Sequence, residues 1–171
     1  MRKLFGTDGI RGIAGDVLTG ELAFSVAKAA GQVLGERGGR VLIGTDTRGS
    51  AQMLETALAS GFMTMGMDVT LLGVIPTPGV AYLTRKHQYT CGVVISASHN
   101  PYEYNGIKFF SKEGYKLPDE VEEEMEAYIL GEKEVDAHSI SVRARDGQER
   151  KDVKIEDFIC ELKKEIKEKI Y

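Results

Sequence analysis

Ser98, His99 and Asn100 stand side by side, and Lys108 follows ten residues after Ser98. A hydroxyl beside an imidazole offers a nucleophile with a proton acceptor at hand, and a lysine nearby can move a proton or neutralise an anion. Arg11 adds a permanent positive charge within Thr7-Asp8-Gly9-Ile10-Arg11-Gly12. Glycines at 6, 9 and 12 let the backbone turn there and leave Arg11 free to approach an anion. Each of these residues also has a plainer explanation. Ser98 and Asn100 can bond their own backbone in a turn. Arg11 can be a surface residue of a hairpin, and Lys108 can guard an edge strand. Two other chemistries fit poorly. The glycine spacing is not G-x-G-x-x-G, which speaks against a dinucleotide site. No G-x-S-x-G elbow surrounds Ser98, which speaks against a serine hydrolase.

The elements that must position these groups follow from the hydrophobic pattern. Val93, Val94 and Ile95 read as a buried strand, so Ser98 falls at its carboxyl end, where open α/β sheets bind ligands. Pro101 fixes φ in the exit, and Asn105-Gly106 predicts a tight turn. The strand after it puts Lys108 and Phe110 on one face and Ile107 and Phe109 on the other. Burial would lower the pKa of a lysine in a cleft, whereas a bound phosphate would keep it high.

Upstream, Thr19 predicts an N-cap for a helix carrying Leu22, Val26, Ala29, Ala30, Val33 and Leu34, stopped by Gly38-Gly39. Val41–Ile43 predicts a strand, and Ser50 is placed to cap a helix buried through Leu54, Ala57, Leu58 and Phe62. Val69–Leu72 is a third strand, Pro76 and Pro78 bracket a turn, and Val80–Lys86 is a short helix. Cys91 precedes the fourth strand as buried packing, and Met53, Met63, Met65 and Met67 read as gap-filling core. Pro118 opens a helix with Val121, Met125, Tyr128 and Ile129 inward and Glu122–Glu124 solvated. Alternation of strand and helix is the pattern of a layered α/β domain.

The 171 residues suffice for one ordinary domain, and a net charge of −4 leaves no basic footprint for nucleic acid. No apolar run reaches the roughly 20 residues that a membrane helix needs, and Arg2-Lys3 is not followed by a signal-like apolar stretch. Cys91 and Cys160 form neither a zinc pattern nor a disulfide framework, so a reducing, cytoplasmic setting is expected. Residues 132–153 are polar, with a turn expected at Asp146-Gly147. Ile155, Ile159, Leu162 and Ile166 then mark an amphipathic helix, with Lys163, Lys164, Lys167 and Lys169 largely opposite.

Longer phrases carry a resemblance. Ile95-Ser-Ala-Ser98-His99-Asn100-Pro101, followed by Asn105-Gly106-Ile107-Lys108-Phe109-Phe110, resembles the phosphoserine loop of the phosphohexomutase superfamily. Phe5-Gly-Thr-Asp8-Gly9-Ile-Arg11-Gly12, Pro76-Thr-Pro78-Gly-Val-Ala-Tyr-Leu-Thr84 and Gly114-Tyr-Lys-Leu-Pro118 resemble its phosphoglucosamine mutase branch. These phrases keep the family's order across roughly residues 1 to 130. The Asp46-Thr-Arg48-Gly-Ser50 stretch is also similar, with Thr45 where lysine is commoner, and reads as mainly architectural.

The resemblance implies a three-layer α/β/α sandwich with a mixed sheet, the phosphoglucomutase domain I type. It would cover residues 1–131, with 132–171 as a polar segment plus helix serving as a possible interdomain linker. It also implies that Ser98 carries a phosphoryl group and Lys108 shuttles the proton of the sugar hydroxyl. Arg11 would reach the phosphoserine, helped by Thr7 and Asp8, while His99 and Asn100 bind the sugar or its phosphate. The cofactors implied are Mg2+, touching this chain through the Ser98 phosphate, and a hexose bisphosphate primer. The substrate implied is glucosamine 6-phosphate, isomerised to the 1-phosphate. The family's Asp-Gly-Asp-x-Asp-Arg metal loop, sugar loop and Arg-x-Ser-Gly-Thr phosphate loop are not among these residues. The chain alone is therefore expected to be inactive and to partner the remaining mutase domains or another copy, with no nucleic acid and no membrane. The alternatives are a noncatalytic phosphate-binding or association module, or domain I of a phosphoglucomutase or phosphomannomutase.

Overall fold

The computed structural model describes residues 4–35, 38–136, 139–143 and 149–168. They fall into two compact units, one reaching Glu126 and the other starting at Ala127.

The first unit is built on a five-stranded sheet of β1 (Ile10–Ile13), β2 (Arg40–Thr45), β3 (Asp68–Val74), β4 (Cys91–Ile95) and β5 (Tyr104–Ser111), in the order β1-β5-β4-β2-β3. β2 runs parallel to β3 and β4, whereas β5 runs antiparallel to β4 and β1, so the sheet is mixed. Every residue of β4 is buried, as is β2 beyond Arg40, so both sheet faces are covered there. α3 (Thr77–Lys86) covers one face: Val80 packs with Val94 and Phe110, and Leu72, Ile75 and Ala81 surround them. Glycine makes this approach possible. A Cβ on Gly44 would strike Ile75 and Val80 at 2.6 Å, and one on Gly92 would strike Thr84.

The other face belongs to α1 (Gly20–Leu34) and α2 (Ala51–Thr64), of which α2 touches β2, β3 and β4. These helices approach closely at Gly61, where a Cβ would lie 2.6 Å from Phe24 O and 2.7 Å from Ala27 Cβ. The result is the layered α/β domain that the pattern implied and the mixed-sheet α/β/α type that the resemblance implied.

Several local expectations need correction. Asn105-Gly106 is not a turn: both residues lie in β5, opposite Gly12 and Arg11. The chain reverses instead at Pro101–Tyr104, where Tyr104 N–H donates to Pro101 O. Two tertiary contacts override the dipeptide's local preference. Asn105 is fully buried and donates from Nδ2 to Ser50 Oγ at 2.9 Å, and Gly106 sits where a Cβ would lie 2.7 Å from Ser96 O. Ser50 correspondingly makes no side-chain cap, because its hydroxyl accepts from Asn105. Thr19 does cap α1, its Oγ1 accepting from Leu22 N–H at 3.1 Å. That helix ends at Leu34 with Gly35 as its C-cap, before Gly38-Gly39. Pro78 lies within the first turn of α3, and Cys91 is inside β4.

Met67 is core, but Met53 and Met63 are 41% and 57% exposed. α4 (Asp119–Asp136) runs on past Gly131, and Glu122 is buried rather than solvated, its carboxylate 2.8 Å from Lys116 Nζ. Hydrogen bonds to Asp119 and then Glu122 push the Lys116 pKa above its ordinary value.

The second unit contains the end of α4, a two-stranded antiparallel pair of β6 (Ser139–Arg143) and β7 (Glu149–Lys154), and α5 (Ile155–Glu168). The turn expected at Asp146-Gly147 lies outside the described residues. On α5, Ile155, Ile159 and Leu162 are 39%, 43% and 39% exposed. No helix among the described residues is long and apolar enough to cross a membrane.

Candidate active site

β2 and β4 are parallel neighbours, so the loops leaving their carboxyl ends lie together. Asp46 N–H donates to Ile95 O, joining the two exits. The β4 exit carries Ser98. Its φ is 56°, a left-handed conformation that residues with a Cβ adopt at a cost of about 1–2 kcal/mol. Ser98 N–H donates to Ser96 Oγ at 3.1 Å, and Asn100 N–H donates to Ala97 O, so the loop winds tightly around the serine.

Ser98 and His99 are both exposed, and Ser98 Oγ lies 3.3 Å from His99 Nδ1. The hydroxyl donates to that nitrogen when the ring carries its proton on Nε2; with the proton on Nδ1 the direction reverses. Asn100 is half-buried, and its carbonyl accepts a hydrogen bond from Arg48 at 2.8 Å.

The cations arrive on neighbouring strands. Lys108 pairs with Val94, and Arg11 pairs with Gly106, two residues along β5 from Lys108. Alternation along β5 puts Gly106 and Lys108 on the same sheet face. Arg11 shares it, because its Cγ lies 3.1 Å from where a Gly106 Cβ would stand. The Gly106 carbonyl in turn accepts from Ser96 N–H, which ties this row to the base of the serine loop. Lys108 is half-buried, its Nζ 6.0 Å from the Phe110 ring centroid.

Arg11 Nη1 lies 3.4 Å from Asp8 Oδ2, while its Nε is buried with no hydrogen-bond partner among the described residues. That donor is free for an incoming acceptor. Thr7 and Asp8 are exposed in the short loop closed by reciprocal Gly6–Gly9 backbone bonds. Glu126 anchors this segment by accepting from Phe5 N–H at 2.7 Å.

The structure thus brings Ser98 and His99 into contact and sets Arg11 and Lys108 on one face at the same end of the sheet. Asp8 joins through Arg11 and Asn100 through its backbone, while Thr7 is exposed beside Asp8, outside these contacts. The Asp46–Ser50 stretch, read as mainly architectural, supplies Arg48, which grips the serine loop; the loop's own Tyr102, not singled out in the sequence, ties it to Gly49. The signal for Arg48 was available in a lone arginine between small and polar residues at a strand exit; nothing in the sequence marked Tyr102. Cys91, fully buried, has its thiol pKa pushed up to about 12 by desolvation and is no nucleophile.

No group of three or more His, Cys, Asp or Glu residues among those described could hold a metal ion. These side chains therefore do not by themselves fit a Mg2+ cage.

The family described as phosphoglucomutase/phosphomannomutase, alpha/beta/alpha domain I, matches residues 2–136. A phosphoglucosamine mutase of Alkaliphilus metalliredigens is 60% identical over 138 residues, 80% of this chain and 31% of that protein. One from Carboxydothermus hydrogenoformans is 59% identical over 137 residues, 79% of this chain and 31% of that protein. Among solved structures, a phosphoglucomutase/phosphomannomutase family protein from Burkholderia thailandensis superposes with a TM-score of 0.65 at 29% identity. That likeness covers 78% of this chain and 31% of the other. The chain spans about a third of the length of the curated relatives it matches.

Proposed function

Because the chain belongs to the phosphoglucomutase/phosphomannomutase family, as its α/β/α domain I, we propose that it supplies the phosphoryl-carrying serine of a hexosamine phosphate mutase. The observation that carries this reading is Ser98 in its left-handed loop, with His99 against its hydroxyl and two cations on the adjoining sheet face. Relatives named phosphoglucosamine mutase at about 60% identity favour glucosamine 6-phosphate and glucosamine 1-phosphate as the interconverted pair.

In this proposal the sugar hydroxyl oxygen attacks the phosphorus of phosphorylated Ser98, and the bond from phosphorus to Oγ breaks. Lys108, as general acid–base, takes the proton from the attacking hydroxyl, and the departing Ser98 Oγ is protonated in turn, so that Ser98 is left as the free hydroxyl. Arg11 faces the phosphoryl oxygens with its permanent charge, and Thr7 and Asp8 shape the loop that carries it. His99 and Asn100 bind the sugar or its phosphate. The bisphosphate then returns its other phosphoryl group to Ser98 after turning over, which completes the isomerisation. Phosphoryl transfer needs chiefly positioning and charge neutralisation, which this set of residues suits. Mg2+ and a hexose bisphosphate primer belong to the proposal, as does a cytoplasmic setting. The chain's own contribution to the metal would be the Ser98 phosphate oxygens. Residues 132–171 are proposed as the connection toward the family's further domains.

A second reading, a noncatalytic module that binds phosphate or associates with another chain, is favoured by the exposed Ile155, Ile159 and Leu162 on α5. The intact mass of the chain after incubation with Mg2+ and a hexose bisphosphate, beside Ser98→Ala, tests both. One added phosphoryl group in the wild type and none in the variant is the expected result. Equal uptake by both removes Ser98 as the acceptor, and no uptake by either means that the serine loop is inert without the family's further domains.

A further inference from the structure

Arg48 reaches from the β2 exit into the serine loop and engages all five of its side-chain N–H donors, four of them on the loop. Nε donates to Asp46 Oδ2 at 3.1 Å. Nη1 donates to Pro101 O at 2.5 Å and Tyr104 O at 2.9 Å, and Nη2 to Ser98 O at 3.1 Å and Asn100 O at 2.8 Å. Asp46 in turn fixes the arginine, its Oδ1 accepting from Arg48 N–H at 3.0 Å.

Four carbonyls converging on one point repel one another, and a planar cation with forked donors is the group that reconciles them. Two further ties join the same segments: Gly49 N–H donates to the Tyr102 hydroxyl at 2.8 Å, and Asn105 Nδ2 donates to Ser50 Oγ at 2.9 Å. The serine loop is therefore referenced to β2 as well as to its own strand.

With this geometry, and resting on the phosphoserine reading above, we propose that Arg48 is a positioning residue. It holds the Ser98 backbone in its left-handed conformation and so presents the hydroxyl in one orientation for phosphoryl exchange. Because none of its donors is left over, it does this without binding the phosphoryl group.

The test uses the full 171-residue chain with Arg48→Lys, Arg48→Ala and Tyr102→Phe. Tyr102 is 69% exposed, so its variant removes one tie without threatening the core. Amide hydrogen exchange over residues 97–104 reads the brace independently of any chemistry. Arg48→Lys, which keeps the charge but loses the fork, is expected to exchange about tenfold faster there while β2 and β4 stay protected. Tyr102→Phe should show a smaller change in the same residues.

The rate of phosphoryl uptake from a hexose bisphosphate, followed by intact mass, should fall about tenfold or more in Arg48→Lys. The half-saturating bisphosphate concentration should not change, and added guanidinium should recover part of the rate in Arg48→Ala. Wild-type loop exchange in Arg48→Lys overturns the proposal. So does a raised half-saturating concentration at an unchanged rate, which would make Arg48 a ligand group. If the wild type takes up no phosphoryl group even with the family's further domains added, the phosphoserine reading fails; loop exchange alone then decides whether Arg48 is the brace.

Discussion

At Ser98 the backbone and the side chain make opposed demands. A φ of 56° suits glycine, whereas group transfer requires the hydroxyl. Comparing Ser98→Gly with Ser98→Ala separates the two. Both delete the proposed phosphoryl acceptor, but only glycine relieves the crowding at Cβ, so Ser98→Gly should be the more stable by about 1 kcal/mol. Urea unfolding of the pair at equal slope checks this, and equal midpoints would show that the loop carries no such strain. The candidate residues were legible at this scale because small and polar residues at a strand exit are distinctive. Partners chosen through space were not. The Glu122 carboxylate lies among like charges in the sequence, and only the fold brings Lys116 to it. Ser50 reads as a helix cap, and only the fold supplies the buried Asn105 amide that takes its hydroxyl.

Among elements, the seat of α3 on the sheet depends on the absence of two side chains. Gly92→Ala would drive a Cβ into Thr84 Oγ1, which already donates to Val80 O at 2.8 Å inside the helix. The helix must then lift from β4, at a cost of about 1–3 kcal/mol, typical of an overfilled core. A lowered urea midpoint with an unchanged slope is the expected result, and a wild-type midpoint would mean that α3 yields freely. The strands around Val41–Ile43, Val69–Leu72 and Val93–Ile95 were visible as β-branched apolar runs, and α1 as a stripe with its cap. The Asn105-Gly106 dipeptide misled because turn propensity is a local preference, and β5 draws both residues into a buried ladder. β7 left no trace in the pattern, since Glu149–Lys154 is mostly charged and alternates no apolar face, whereas Ser139–Arg143 of β6 does alternate, with Ile140 and Val142 at every second place, inside a stretch read only as polar.

Over the whole molecule, the buried apolar residues among those described run from Phe5 to Ile129. A chain ending at Asp136 should therefore keep a single cooperative thermal transition, and near-ultraviolet circular dichroism recorded through the melt would show it. A broad, non-cooperative melt would mean that residues beyond 136 complete the core. The strand order has a further consequence, this one in time. Of the five strands of this sheet β1 is synthesised first, yet among the described residues its sheet neighbour is β5, and Ile10 finds its partner in Ile107. At about 5–20 residues per second on the ribosome, β1 waits roughly 5–20 s for that partner to emerge. Until then Arg11 has no Gly106 to lie over, and the edge of β5 cannot be closed. The strand made first is thus placed last, and the cation it carries joins the serine loop only as the nascent domain finishes.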